Sequence, residues 1–260
     1  MDTALYPPVV EKAGLHNHYT DLACQSIEPL DTLAAKSPNL AKWRSVAVDG
    51  AIVPSYVLIG PRIGRVPIRL GLFGGIRIFD LLSTISIAKL LRELDLAPII
   101  AQDFALFAYP LSNPSRALRA EPDFDTSFWK GSSDPAIRFF EQELTMGEFD
   151  GVIAVRGDEA VTGFQIQISS GIIGKEVLWR ALELPQKVVP LADEPIQIFQ
   201  QTEDTEHSFT NLGRLCPSRF CLVIRAPRNA PAENQISAIA FTIKQILLHY
   251  RSLVCQVDRI

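Results

Sequence analysis

A strand that runs into two glycines and then into a helix is the feature that most restricts how this chain can fold. Apolar side chains alternate through residues 66–72, and the strand then meets Gly74 and Gly75. Apolar residues between positions 78 and 88 recur at the spacing of one buried helix face. Because such a turn lies at the carboxyl end of its strand, it is where α/β proteins usually bind their ligands.

The side chains at this turn are not of the types that an active site needs. Phe73, Ile76 and Arg77 include no nucleophile, no metal ligand and no carboxylate base. The sequence therefore places residues without the usual chemistry where an active site is expected.

Further strands and helices alternate along the chain. Apolar or alternating patterns predict strands at residues 51–60, 65–75, 98–111, 149–159, 161–169, 196–201 and 219–227. Helical patterns cover residues 77–94, 134–145, 174–184 and 231–254. This alternation predicts an α/β fold of three layers, in which helices flank a mixed, mostly parallel central sheet.

The segments between these elements carry predictions of their own. The first two strands are expected to form a hairpin through residues 60–64, and residues 1–45 a mostly helical or irregular lead-in. Asp134 is expected to be the N-cap of the second helix, with Pro135 in its first turn. The turn-rich residues 112–133 predict a functional loop, because long loops inside compact domains usually serve a function.

Composition limits the classes of partner. The chain has 260 residues, of which 47% are hydrophobic, and a formal net charge of -4. Nucleic acid is not expected as a main partner, because phosphate binding needs a basic surface. We also expect no membrane partner, since no apolar run reaches the roughly 20 residues that cross a bilayer. The amino terminus lacks the pattern of a signal peptide, which predicts a cytoplasmic protein.

Neither cysteine nor histidine predicts a metal site. The four cysteines form no CxxC pair, and reduced, buried or half-buried thiols are expected. His16 and His18 form a His-x-His pair, which we interpret as part of a polar surface segment. His207 lies in an acidic loop, and His249 lies in the last predicted helix.

Three predicted strands end in residues that could share one cleft. Their ends lie at residues 73–75, 156–158 and 225–227. If these strands are neighbours in a parallel sheet, Phe73, Arg156 and Arg225 converge beyond its carboxyl edge.

The order of these elements and motifs resembles the zinc carboxypeptidase superfamily, and within it the branch similar to succinylglutamate desuccinylase and aspartoacylase. The similarity covers roughly residues 50 to 250. Its scaffold positions are Gly71, Gly74, Tyr109, Pro110, Asn113, Pro114, Phe128, Trp129, Gly163, Phe164 and Pro227. The resemblance implies one carboxypeptidase-like (phosphorylase/hydrolase-like) α/β domain at residues 46–260, preceded by the lead-in segment 1–45.

The resemblance also implies a zinc-dependent carboxypeptidase or amidohydrolase, but this sequence departs from the family at the chemical positions. Phe73 and Ile76 stand where the first zinc histidine and the zinc glutamate are expected, and Arg156 where the third zinc ligand is expected. Arg225 replaces the catalytic glutamate, and Asp125 and Thr126 replace a substrate-gripping Asn-Arg pair. Since phenylalanine and isoleucine have no lone pair and arginine stays protonated, the sequence predicts neither zinc nor another cofactor.

Three functions are compatible with this pattern. The first is a catalytically degenerate carboxypeptidase-like protein whose arginines bind a small carboxylate or a peptide terminus. Its predicted site consists of Arg156, Arg225, Asp158, Phe73, Ile76, Asp125 and Thr126. The second is an active metal-dependent amidohydrolase with a non-standard site, and the third is a scaffold or partner-binding subunit. Alternatively, each arginine only pairs with a local acid, for example Arg156 with Asp158 or Glu159.

Overall fold

The computed structural model describes seven stretches of the chain, namely residues 25–48, 51–62, 66–76, 80–112, 135–171, 173–198 and 219–257. Within them the chain forms an α/β fold with one eight-stranded mixed sheet. None of the helices in these stretches is long and apolar enough to cross a bilayer.

The strands of the sheet are numbered in chain order. They are β1 (Leu40–Val48), β2 (Ala51–Ile59), β3 (Ile68–Phe73), β4 (Phe104–Tyr109), β5 (Gly151–Asp158), β6 (Phe164–Gly171), β7 (Leu191–Ile198) and β8 (Phe220–Pro227). The helices are α1 (25–34), α2 (Leu81–Leu96), α3 (Pro135–Met146), α4 (Lys175–Leu182) and α5 (Ala232–Val257). Short 3-10 turns lie at Pro98–Ala101 and Pro185–Lys187.

The sheet has the order β1-β2-β4-β3-β5-β8-β6-β7. Its four central strands, β4, β3, β5 and β8, are parallel, so their carboxyl ends meet at one edge. On one side, β2 is antiparallel to β4 and β1 antiparallel to β2. On the other side, β6 is antiparallel to β8, and β7 is parallel to β6. The predicted fold class, a mixed and mostly parallel sheet between helices, is confirmed.

The prediction of a hairpin between β2 and β3 is wrong. Strand β4 lies between them, antiparallel to β2 and parallel to β3. Proximity in sequence favoured a hairpin, but the buried strand β4 has apolar residues on both faces and pairs on both sides.

Residues 40–45 belong to the sheet, which the interpretation of residues 1–45 as helical or irregular did not predict. Strand β1 pairs with β2 from Leu40 to Val48. It therefore crosses the predicted boundary between the lead-in segment 1–45 and the domain 46–260. Lys42 and Arg44 interrupt its apolar alternation, as is common in strands at the edge of a sheet. Helix α1, by contrast, is helical as expected, and Ile27 and Leu30 bury it against the core.

The two faces of the sheet pack differently. Alternation along β5 sends Ile153 and Val155 to one face and Val152 and Ala154 to the other. The first face packs its aliphatic side chains against α2, α4 and α5. The second, here called the aromatic face, packs under α3 and carries the buried rings Phe73, Phe107, Tyr109, Phe140 and Phe149. The three predicted layers are therefore present.

Several local predictions lie outside the described residues. These are the N-cap role of Asp134 and all but the first residue of the predicted functional loop 112–133. Pro135 is the first described residue of helix α3. Helix α2 begins at Leu81 with Asp80 as its N-cap.

Candidate functional site

The three strand ends singled out in the sequence are neighbours. Strand β5 lies between β3 and β8, and all three are parallel. Phe73 is in register with Ala154, and Arg156 with Arg225. Because side chains two residues apart share a face, Ala154 and Arg156 both project on the aromatic face. The prediction that the three strands are neighbours is confirmed, and their carboxyl ends meet at one edge of the sheet.

One carboxylate oxygen joins the two arginines. Asp158 Oδ2 lies 3.1 Å from Nη2 of Arg156 and 2.8 Å from Nη2 of Arg225. It also accepts a 2.9 Å hydrogen bond from Nε of Arg225. Nη1 of Arg225 donates to Oε1 of Gln165, which faces it across the β6–β8 pair. We call Arg156, Asp158, Gln165 and Arg225 the carboxyl-edge cluster.

The pairing of Arg156 with a local acid, weighed in the sequence, is present with Asp158. Glu159 instead forms an ion pair with Arg228 at 2.6 Å. The Asp158 side chain is 2% exposed and that of Arg225 14%. Desolvation raises the pKa of Asp158, but the Arg156 charge, the backbone N–H of Ala160 and Arg225 outweigh it. The pKa of Asp158 is therefore lowered, and the carboxylate stays charged between its two guanidinium partners.

An aromatic stack occupies the end of β3. The Phe73 ring lies parallel to that of Tyr109, its cross-strand neighbour, with 4.7 Å between centroids and 11° between planes. The rings of Phe140 and Phe149 contact it edge-on. Ile76 is 6% exposed and belongs to the same cluster. Both predicted site residues are thus part of the apolar packing below the edge.

Asp80 is a buried acid at this edge that the sequence analysis missed. Its carboxylate accepts hydrogen bonds from the backbone N–H groups of Ser83 and Gly157, so it caps α2 and ties it to β5. The Ser83 hydroxyl accepts from the N–H of Gly75, which has a φ of 59°. Burial raises the pKa of Asp80. The pattern Asp-x-x-Ser before an apolar helix could have located this cap.

Gln165 was also missed, although β6 carries a signal for it. Gln165 and Gln167 alternate with the buried Ile166 and Ile168. Polar residues at every second position of a buried strand must find hydrogen-bond partners, and this alternation points to a polar site on one face.

The structure describes only some of the other residues singled out in the sequence. Asp125, Thr126, His16, His18 and His207 lie outside the described residues. His249 is half-buried on α5. Cys221 is buried on the aromatic face as a thiol. In the described stretches, no three His, Cys, Asp or Glu side chains come close enough together to hold a metal ion.

The fold has close counterparts among solved structures. A candidate metallopeptidase from Shewanella baltica superimposes with a TM-score of 0.65 at 13% identity, covering 88% of this chain and 92% of its own. A metallo-carboxypeptidase from Burkholderia cenocepacia gives 0.66 at 13% identity, with 86% and 68% covered. One from Pseudomonas aeruginosa, in complex with (2-guanidinoethylmercapto)succinic acid, gives 0.63 at 12%, with 87% and 68% covered. This chain has a carboxypeptidase-like fold.

The likeness lies in the fold alone at these identities. No protein-family model matches the sequence, and no curated protein matches it.

The residues at the carboxyl edge do not fit the zinc ion that this fold family implies. Zinc needs nitrogen, oxygen or sulfur ligands with a lone pair, which the side chains of Phe73 and Ile76 lack. Arg156 and Arg225 are cations already bound to Asp158. Two buried carboxylates are described at this edge, and both are engaged: two guanidinium groups take Oδ2 of Asp158, and Asp80 accepts from the backbone N–H groups of Ser83 and Gly157. The donor set therefore does not suit a dication.

Proposed function

We propose that this chain is a carboxypeptidase-like binding protein that holds a small carboxylate or a peptide terminus at the carboxyl-edge cluster and does not hydrolyse it. The observation that carries the proposal is the position of Arg225. It stands at the end of β8 and is fixed by Asp158 and Gln165. In the family that the sequence resembles, this place belongs to the catalytic glutamate.

Arg225 is both anchored and able to bind a further acceptor. A guanidinium has five N–H donors. Arg225 contacts Asp158 through Nε and Nη2, and it contacts Gln165 through Nη1. These contacts use three of the five N–H groups, and the side chain is 14% exposed. An anchored guanidinium loses little conformational entropy when it binds a carboxylate, which favours affinity.

The same side chains argue against amide hydrolysis. A zinc carboxypeptidase uses its metal to generate a nucleophilic water and a carboxylate to accept the proton. Arg225 accepts no proton at ordinary pH, and Phe73 is enclosed by other rings. A further point in favour of a carboxylate ligand is the succinic acid derivative bound by the Pseudomonas aeruginosa neighbour.

Purified protein tests this proposal in two steps. The first measures zinc content after growth with zinc, and cleavage of a panel of N-acetyl amino acids and short peptides. We expect no stoichiometric zinc and no cleavage. Zinc at one equivalent together with cleavage would support the alternative of an active amidohydrolase and overturn the proposal.

The second step measures binding by calorimetry. The probes are N-acetyl amino acids and peptides with a carboxylate terminus, each compared with the same molecule carrying an amide terminus. We expect the carboxylate forms to bind, and Arg225→Met to weaken them by about tenfold or more. Arg92→Met is the matched control, because Arg92 is exposed on α2. Equal binding of carboxylates and amides, or no binding, would overturn the proposal in favour of a scaffold subunit.

A further inference from the structure

A pocket lies under α3 on the aromatic face, toward the amino-terminal end of β3. Its volume is about 140 Å³. The side chains that define it are Trp43, Arg44, Arg69, Phe107, Glu143 and Phe149. We call it the Arg69 pocket. Arg69 lies four residues before Phe73, which is about 13 Å along the strand, so the pocket is separate from the carboxyl-edge cluster.

Glu143, the one acid among the described residues that line this pocket, already has its donors. Glu143 is 5% exposed and accepts a 2.5 Å hydrogen bond from the Tyr109 hydroxyl. That hydrogen bond reaches Oε2 of Glu143, and Nε1 of Trp43 lies 3.3 Å from the same oxygen. Nη1 of Arg44 donates to Oε1 of Glu143 at 2.6 Å. The charge of Glu143 is therefore matched by that of Arg44.

Arg69 has no such partner. Its guanidinium lies over the Phe107 ring, 4.8 Å from the centroid. Its Nε is buried and, within the described part of the chain, has no hydrogen-bond acceptor. The nearby Asp150 accepts a hydrogen bond from the backbone N–H of Arg69 and forms its ion pair with Arg219 instead.

A buried donor without an acceptor is costly, and buried arginines are normally paired. Arg69 itself is half-buried, and its guanidinium is held over an aromatic ring beside a pocket that it lines, so an anion that enters the pocket meets a positive charge already fixed in place. The aromatic walls Trp43, Phe107 and Phe149 give such an anion an apolar surface to contact.

We propose that the Arg69 pocket binds a small monocarboxylate with a short apolar body. Its volume corresponds to about four or five water molecules, which suits an acid of the size of propionate or butyrate. The carboxylate accepts from Arg69, and the alkyl chain lies against the rings. For a ligand with so few atoms we expect affinity in the millimolar range.

The test is a titration of the full chain with butyrate, followed by calorimetry and by tryptophan fluorescence. Butyramide and butylammonium have nearly the same shape without the negative charge. We expect saturable binding of butyrate, and binding of the other two weaker by about tenfold or more. The fluorescence change is expected to disappear in Trp43→Phe while the calorimetric signal remains, because Trp43 lines the pocket.

Two variants separate this pocket from the carboxyl-edge cluster. Arg69→Met is expected to abolish the tryptophan fluorescence change and the part of the calorimetric signal that comes from this pocket. Arg225→Met is expected to remove only the butyrate bound at the carboxyl-edge cluster and to keep the fluorescence change. Arg92→Met is the control and is expected to change neither signal. Circular dichroism checks that each variant is folded. Absence of saturable butyrate binding to the wild-type chain would overturn the inference and indicate that water fills the pocket. Binding lost in Arg225→Met but kept in Arg69→Met would assign the ligand to the carboxyl-edge cluster alone.

Discussion

The two arginine sites on the aromatic face differ in what holds the guanidinium. At the carboxyl edge, Arg156 and Arg225 are held by the carboxylate of Asp158. At the other end of β3, Arg69 is held by the face of Phe107. The first arrangement makes the fold depend on a buried ion pair. The second leaves a cation whose removal costs the fold little but removes the means to bind an anion.

The largest effect is expected for Asp158→Ala. This change removes the buried carboxylate that pairs with the buried Arg156 and the half-buried Arg225, and breaking a buried pair costs about 3–5 kcal/mol in the free energy of unfolding. Urea denaturation measures the loss. The control is Glu159→Ala, because Glu159 is 77% exposed and bound to Arg228 at the surface. A loss in Asp158→Ala no larger than in the control would show that the carboxyl-edge cluster does not support the fold.

Protonation of Asp158 at low pH is expected to lower the free energy of unfolding less than Asp158→Ala does, because a protonated Asp158 still accepts hydrogen bonds. Its pKa is lowered in the folded chain, so its contribution to stability is present above the unfolded value of 3.8 and lost as the pH falls below it. Asp80 acts in the opposite direction, since its pKa is raised.

The difference between wild type and Asp158→Asn isolates the acid effect of Asp158. We expect this difference in unfolding free energy to shrink as the pH is lowered through the acid range. A difference that stays constant from neutral pH to pH 3.8 and below would show that Asp158 is not held in its charged form.

Tyr109→Phe is expected to cost about 1.5–3 kcal/mol, because it removes a charge-assisted hydrogen bond from the buried Glu143 while keeping the ring stacked on Phe73. Tyr56→Phe is the matched control. The Tyr56 hydroxyl donates to Asp31, whose side chain is 37% exposed, so water can replace it. A similar loss of unfolding free energy in both variants would mean that burial of Glu143 does not strengthen its hydrogen bond with Tyr109.

The sequence predicted the convergence at the carboxyl edge because that convergence follows from local patterns. Alternation fixes which residues of β5 and β8 share a face, and parallel strands bring Arg156 beside Arg225. The same reasoning could have found Asp80 from its spacing to Ser83, and Gln165 from its alternation with buried isoleucines, because both patterns are local.

The Arg69 pocket could not be predicted in this way. Arg69 meets Phe107 because β4 pairs with β3 and not because the two residues are near in sequence. Arg44 and Glu143 are 99 residues apart and meet because α3 packs against β1. Pairing between distant segments depends on the whole core, and the mistaken hairpin between β2 and β3 failed for the same reason.

The smallest effect is expected for Arg69→Met, within about 0.5 kcal/mol of wild type in the absence of ligand. Methionine keeps the length and the contact with Phe107 while removing a buried N–H that has no acceptor in the described part of the chain. Saturating butyrate is expected to raise the melting temperature of wild type by more than that of Arg69→Met, since a ligand stabilises only the state that binds it and Arg69→Met has lost one of two proposed sites. A loss in Arg69→Met as large as in Asp158→Ala would mean that Arg69, too, supports the fold, and the contrast between the two sites would then fail.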